Sequence, residues 1–225
     1  MRAPKLPLAY REAKAYFYGL EFFVNRHTLI PRPETEQLVE RTIELIRINQ
    51  GVLPENLTIL EVGTGSGNIA VTLDLRLRNA QIVATDISEH ALEVAGRNAK
   101  RHQAKVDFSL ADIAPAGGKF DLVIANLPYV PSSRLPHLPE EVRLEPRLAI
   151  DGGRDGLRVI KKLLSRLREL AKTRAIVALE IDDIQADKVT QLFRQEFPSW
   201  QISAEKDLAG FDRFVFGLSP DLAKR

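Results

Sequence analysis

A doubly wound α/β fold on a mostly parallel sheet is what this chain predicts, and three observations carry the prediction. From Thr58 onward short β-rich runs alternate with helical ones, the pattern of successive βαβ units. A glycine-rich turn, "EVGTGSGN" (61–68), joins the first of these strands to its helix, where open α/β sheets bind ligands. The chain closes on two strands, "WQISAEKD" and "RFVFGL", with only the turn "LAGFD" between them. They must pair antiparallel, because a parallel pair needs a crossover of about a dozen residues.

The elements follow in order. Near the start, "YGLEFFVNRHT" predicts a short hairpin across Val24 to Thr28, so that residues 1–32 form a linker and hairpin and 33–225 the main domain. A helix opens near Pro33, with Glu34 and Glu36 in its first turn, where the helix dipole favours negative charge. "TILEVG", "QIVATDI", "VDFSLAD" and "FDLVIANL" read as strands, with helices through "NIAVTLDLRLR" and "EHALEVAGRNAKRH" after the first two. A Pro-rich loop runs from Val130 to about Ile150. Beyond it Val159, Ile160, Leu163, Leu164, Leu167 and Leu170 recur at the spacing of one helix face. "AIVALEI" is the next strand and "DKVTQLFRQEF" the next helix, which brings the sheet to seven strands, mostly parallel, with an antiparallel last strand.

Composition narrows the function classes. Lys and Arg total 32 against 30 Asp and Glu, a net charge of +2, which is no basic stripe of the kind nucleic-acid binders carry. Cysteine is absent, which excludes disulfides, thiolate catalysis and cysteine-ligated metal. His27, His90, His102 and His137 show no ligand spacing, so no metal site is expected and all four are assigned to the surface. No signal peptide or membrane-span-length apolar run is present. A cytoplasmic monomer is the expectation.

The glycine loop places Gly63, Gly65 and Gly67 where the backbone must turn tightly and approach a ligand. Asp86 ends the following strand, where a carboxylate can accept both hydroxyls of a ribose. The spacing is G-x-G-x-G rather than the G-x-G-x-x-G that seats a pyrophosphate, so a nucleoside without one suits it better. The loop resembles the E/D-x-G-x-G-x-G motif of Rossmann-like class I S-adenosylmethionine-dependent methyltransferases. That resemblance implies a cofactor site of Glu61, Gly63, Thr64, Gly65, Ser66, Gly67 and Asp86, with Asp112 at the acidic position that meets the adenine amino group. Read alone, Asp112 is equally a turn or helix cap.

"ANLPYV" is an odd end for a buried strand. An amide or exocyclic amine is a poor nucleophile because its lone pair is delocalised. Two fixed acceptors can take its N–H bonds and aim the lone pair at a methyl donor. Asn126 Oδ1 and the Leu127 carbonyl are suited to be those acceptors; Pro128 stiffens the turn and holds Leu127 extended, and Tyr129 offers a flat wall. The turn resembles the (D/N)-P-P-Y motif of methyltransferases acting on amino and amide nitrogens, with Leu127 where those enzymes usually have Pro. N-L-P-Y also occurs in rRNA adenine dimethylases, so an adenine amino group of RNA or DNA stays as an alternative substrate, and a cofactor-binding module without catalysis as a second alternative.

Further motifs occur in order: "PLAY" (7–10), "FYGLEFFVN" (17–25), "LIPRPETEQLVE" (29–40), "FDLVIANLPYV" (120–130) and "EPRLAIDGGRDGL" (145–157). Together they resemble the PrmC/HemK family, which methylates the Gly-Gly-Gln glutamine of class I peptide chain release factors. The resemblance implies that "IPRPETE" closes over the cofactor, that Ile113 and Asn126 lie beside it, and that Asn126 to Tyr129 hold the substrate glutamine. Without it, "PRPETE" is a well-started helix and "DGGRDG" a flexible loop. Family members usually carry a helical domain ahead of this region, whereas this chain opens close to the linker, and "LEIDDIQ" (179–185) stands where they have a Gly after the strand. Lys161, Lys162, Arg166 and Arg168 are read as a solvated helix face. Trp200 is expected to pack at a strand start. Arg134, Arg143 and Arg147, in the loop after the turn, are expected to touch substrate.

Overall fold

The computed structural model describes residues 6–223. The ends of the two predicted segments, residues 1–5 and 224–225, lie outside the described residues. After a short helix α1 (Leu8–Glu12), β1 (Ala15–Phe17) and β2 (Leu20–Phe22) form a hairpin. It sits earlier than the sequence reading put it. Tyr18 and Gly19, both at positive φ (52° and 75°), make the two-residue turn that matches strand twist. Within the predicted hairpin segment, Asn25 instead accepts the N–H of His27 on its own Oδ1, at 2.9 Å, and folds a local turn.

Helix α2 (Pro33–Ile48) opens at Pro33 and leads into β3 (Thr58–Val62), α3 (Asn68–Arg76), β4 (Gln81–Asp86), α4 (Glu89–His102), β5 (Val106–Leu110) and β6 (Phe120–Asn126). After the Pro-rich loop, which contains the single turn α5 (Glu140–Arg143), come α6 (Arg158–Leu170), β7 (Ala171–Glu180), α7 (Ala186–Glu196), β8 (Gln201–Lys206) and β9 (Asp212–Leu218). The seven-stranded sheet runs in the order β5-β4-β3-β6-β7-β9-β8. Its first five strands pair in parallel, and β9 inserts antiparallel between β7 and β8. β7 starts earlier than "AIVALEI", directly where α6 ends.

Alternation along the strands divides the core in two. Leu122 and Ile124 of β6 join α2, α3 and the hairpin's Phe17 and Phe22 on one face, while Val123 and Ala125 join α6 and α7 on the other. Of the predicted apolar stripe of α6, Ile160, Leu163, Leu164, Leu167 and Leu170 are buried, while Val159 faces a cleft. Trp200 packs with Phe193 and Phe197, its ring centroid 5.9 and 5.1 Å from theirs. Among the described residues no helix is long and apolar enough to cross a membrane.

The strand order reverses direction at β3. The chain winds outward through β4 and β5 on one side, then returns to lay β6 against the other. Ligands bind in open α/β sheets at such a switch point, outside the carboxyl ends of the strands. The glycine loop follows β3 and the N-L-P-Y turn follows β6, so the two motifs become neighbours.

Candidate active site

A cleft of about 470 Å³ opens at this switch point, a size that suits a small-molecule ligand. Gly63, Thr64, Gly65 and Ser66 of the glycine loop line it, with Asp86 and Ile113 towards β4 and β5 and Asn126, Leu127 and Pro128 at the end of β6. Pro31, Arg32 and Thr35 of the "IPRPETE" segment also line it. That strap is fastened across the chain: buried Glu145 accepts the N–H of Ile30 at 2.9 Å and forms an ion pair with Arg32. "EPRLAIDGG" therefore has a visible role, since its first residue ties the strap to the loop beyond the N-L-P-Y turn.

The glycine loop has all three glycines at positive φ, 74°, 55° and 79°. A Cβ on Gly67 would lie 3.1 Å from Cβ of Ala95, whereas one on Gly65 would meet nothing within 4 Å. Gly67 thus lets α3 and α4 approach, and it is not in the cleft lining; Gly65 presents bare backbone to open space. Glu61 is buried and lines the cleft, and its carboxylate turns along the loop. Oε2 accepts from Thr64 Oγ1 at 2.7 Å and from the Ala70 N–H at 3.0 Å, inside the first turn of α3. Burial pushes its carboxyl up to about 8, and these two donors pull the other way.

Asp86 spans the loop and the start of α4, with Oδ2 on the Gly65 N–H and Oδ1 on the Ser88 N–H, each at 2.9 Å. Each oxygen keeps a lone pair, so the carboxylate is aimed and has capacity left for hydroxyl donors. Ile113 sits at φ 95°, an outlier for a β-branched residue, held by Thr85 Oγ1, which donates to its carbonyl at 2.6 Å. Its side chain is buried at the cleft. Asp112 lies at the rim, half exposed and ion-paired with Lys162, which also lines the cleft.

At the carboxyl end of β6, Asn126 donates from Nδ2 to Thr35 Oγ1 at 2.9 Å. This leaves Oδ1 as the free polar atom of its amide. Leu127 is buried in the core, with Cδ2 3.2 Å from where a Cβ on Gly63 would stand, so its side chain packs the turn against the glycine loop. Tyr129 does not line the cleft. Its hydroxyl donates to buried Glu180 at 3.3 Å and its carbonyl accepts from Gln185 Nε2 at 2.9 Å. Burial first, and the Glu180 charge next, raise the phenol well above its ordinary range, so it stays protonated. Tyr129 thus braces the turn through its hydroxyl and its carbonyl, where the sequence reading made its ring a wall against the substrate.

Several expectations outside the motifs change. His27 lines the cleft, with its ring centroid 4.5 Å from that of His90, and His102 is half buried with Nε2 2.8 Å from the Glu21 carbonyl, so the surface assignment fails for both His27 and His102. Lys162 is exposed, as expected of the solvated helix face, and also lines the cleft rim. Arg134 and Arg147 are engaged by Asp182 and Asp151, at 2.8 and 3.0 Å. Sequence reasoning missed Thr35, Glu180 and Asn98. Asn98 of α4 is fully buried and donates to the Ser66 and Phe23 carbonyls at 2.8 and 2.9 Å, tying the glycine loop to the N-terminal segment.

Comparison with known proteins agrees with this architecture. A family model described as a methyltransferase domain matches residues 53–200. The release factor glutamine methyltransferase of Moorella thermoacetica is 41% identical over 216 residues, covering 94% of this chain and 75% of the relative. That of Bacillus cereus is 38% identical over 216 residues, covering 94% and 76%. Among solved structures, a methyltransferase from Pyrococcus furiosus superposes with a TM-score of 0.63 at 19% identity, covering 89% of each chain. The hMettl16 catalytic domain, in complex with a MAT2A 3'UTR hairpin, gives 0.67 at 15% identity, covering 90% of this chain and 75% of that one. Those two likenesses speak for the fold. A seven-stranded class I methyltransferase sheet, the N-L-P-Y turn at its switch point, and close relatives matched over nearly the whole chain lead to one conclusion: the chain belongs to the release factor glutamine methyltransferase family.

Proposed function

We propose that this protein transfers a methyl group from S-adenosylmethionine to the side-chain amide nitrogen of the glutamine in the Gly-Gly-Gln motif of a class I peptide chain release factor, in the cytoplasm. The observation that carries the reading is Asn126. Its amide is anchored through Nδ2 at the carboxyl end of β6, which leaves a fixed acceptor oxygen beside a nucleoside-sized cleft.

The residues present fit the cofactor. Bare backbone at Gly65 faces open space, Asp86 has lone pairs for ribose hydroxyls, and Ile113 gives an apolar surface for a base. Gly63, Thr64, Gly65, Ser66, Asp86, Asp112 and Ile113 would hold it, with Glu61 and Gly67 shaping the loop. When bound, S-adenosylmethionine supplies an electrophilic methyl group on a positively charged sulfur.

The chain's own part is positioning. Asn126 Oδ1 and the Leu127 carbonyl accept the two N–H bonds of the glutamine amide, let positive charge grow on nitrogen, and set its lone pair toward the methyl carbon. Both acceptors are fixed before substrate arrives, by Thr35 on one side and by Pro128 and the buried Leu127 side chain on the other. Little reorganisation is then left for the reaction itself.

The test is the intact mass of a purified class I release factor after incubation with the protein and S-adenosylmethionine, beside a factor whose Gly-Gly-Gln glutamine is replaced. One added methyl on the first and none on the second is expected. Asn126→Ala should abolish the gain while keeping cofactor binding. Equal methylation of both factors would overturn the glutamine assignment, and full activity in the variant would overturn the role of the turn.

A further inference from the structure

Thr35, Glu180 and Tyr129 come from α2, β7 and the turn after β6, and they meet in one hydrogen-bonded chain that ends on Asn126. Asn126 Nδ2 donates to Thr35 Oγ1 at 2.9 Å, and Thr35 donates in turn to Glu180 Oε2 at 2.7 Å. The other carboxylate oxygen, Oε1, accepts from the Tyr129 hydroxyl at 3.3 Å. Thr35 and Glu180 are 2% and 1% exposed, so water does not compete for these bonds.

The direction of the chain follows from counting protons. A hydroxyl has one hydrogen, and a carboxylate has none to give. With Glu180 charged, the Thr35 hydrogen is committed to it and Thr35 offers Asn126 only lone pairs. The Asn126 amide must then turn its NH₂ toward Thr35 and its Oδ1 away. Protonation of Glu180 permits the opposite order: the carboxyl donates to Thr35, Thr35 donates to Asn126, and the amide turns over, presenting its own NH₂ where the substrate NH₂ must bind. Two donors face each other and the acceptor is lost.

We infer that Thr35 and Glu180 are positioning residues that set the orientation of the Asn126 amide, and that the charged form of Glu180 is the one that lets the protein bind an amide nitrogen for methyl transfer. The inference rests on the N-methylation reading above for its catalytic consequence, and on the hydrogen bonds alone for its structural part. The charged and titratable groups around Glu180 are Arg213 of β9, Tyr129 of the turn and Glu34 in the first turn of α2; Asp182, two residues on, bears on Tyr129 and pairs with Arg134. Burial pushes the Glu180 carboxyl up to about 7, opposed by Thr35, Arg213 and Tyr129. The two orientations therefore exchange within the working pH range.

Two measurements on the full chain separate this inference from the substrate assignment. The first follows the Asn126 side-chain amide by ¹H–¹⁵N NMR without any substrate, the signals being assigned by their loss in Asn126→Asp. They should shift with a midpoint near pH 7, and that midpoint should be absent in Glu180→Gln. Signals that do not move between about pH 6 and 8, or that move alike in both proteins, overturn the relay. The second is turnover on the release factor. Thr35→Val and Glu180→Gln should lower kcat by about tenfold or more with cofactor affinity little changed, Thr35→Ser should restore it, and the acid limb of the kcat profile should vanish in Glu180→Gln. Wild-type kcat in Thr35→Val, or a loss that Thr35→Ser shares, overturns the positioning role. A wild-type protein that leaves the release factor unmodified would sink the glutamine reading, while the amide titration still decides the relay.

Discussion

Single side chains in this protein act mostly by fixing backbone, and Asp86 shows how that bears on cofactor affinity. Its two oxygens hold the N–H groups of Gly65 and Ser88, one in the glycine loop and one at the N-cap of α4. The lone pairs left over, on a residue that lines the cleft, are available to ribose hydroxyls under the proposed cofactor binding. Asp86→Asn replaces one acceptor with an NH₂ that must face an N–H or the ligand. We predict a fall in S-adenosylmethionine affinity of roughly 10- to 100-fold, the worth of charge-assisted hydrogen bonds, read by calorimetric titration. A lowered melting temperature of the ligand-free protein should accompany it, because the loop contact is lost too. Unchanged affinity with lowered stability would reduce Asp86 to a loop brace.

Elements meet around the N-L-P-Y turn at distances that leave no room for a methyl group. Gly156, in the "DGGRDG" loop before α6, has φ 74°, and a Cβ there would stand 2.2 Å from the Tyr129 carbonyl oxygen and 2.4 Å from Gln185 Nε2. Gly156→Ala should therefore displace the turn itself, costing about 1–3 kcal/mol in strain and lowering kcat more than cofactor affinity; thermal melts and steady-state rates check both. A variant with wild-type stability and rates would mean that the loop yields instead of the turn. Read as sequence, this loop is only flexible, and the difference marks where legibility ends. Strand and helix order, the amphipathic α6 and the two motifs at the switch point are all legible, because each is written in neighbouring residues with a period of two or of 3.6. The hairpin is misplaced because its turn is Tyr18-Gly19, and a tyrosine at positive φ is no standard turn signal. Thr35, Glu180, Asn98 and Gln185 stay hidden for another reason. Their partners are 91, 145, 32 and 56 residues away along the chain, and a threonine in "PETE" carries no mark of the asparagine it will meet.

At the scale of the whole molecule, the switch point that builds the cleft also gathers carboxyl groups that burial disfavours in their charged form. Glu61 and Glu180 end up buried at the ends of β3 and β7, with their carboxyls pushed by burial to about 8 and about 7 from an ordinary value near 4.5. The sign of the effect on stability is fixed by proton counting. Between about pH 5 and 7 the unfolded chain has released both protons while the folded chain still holds most of them, and up to about 8 Glu61 alone keeps part of its own, so rising pH favours unfolding. The stability these groups contribute is full below pH 4.5 and is lost as pH rises through 7 and 8. Asp155, held low first by Lys161, and Asp151, held low first by Ser132, act the other way but only in acid, below the ordinary aspartate range. The windows do not overlap, so the two effects are separable in one profile. Ligand-free protein should melt at a lower temperature at about pH 8.5 than at about pH 5.5, and Glu61→Gln should flatten that slope, since an amide oxygen still accepts from Thr64 and Ala70 without a proton to lose. Melts of the variant that run parallel to wild type across this window would place the pH dependence elsewhere, and would leave Glu61 as a hydrogen-bond anchor of the glycine loop with no titration of its own.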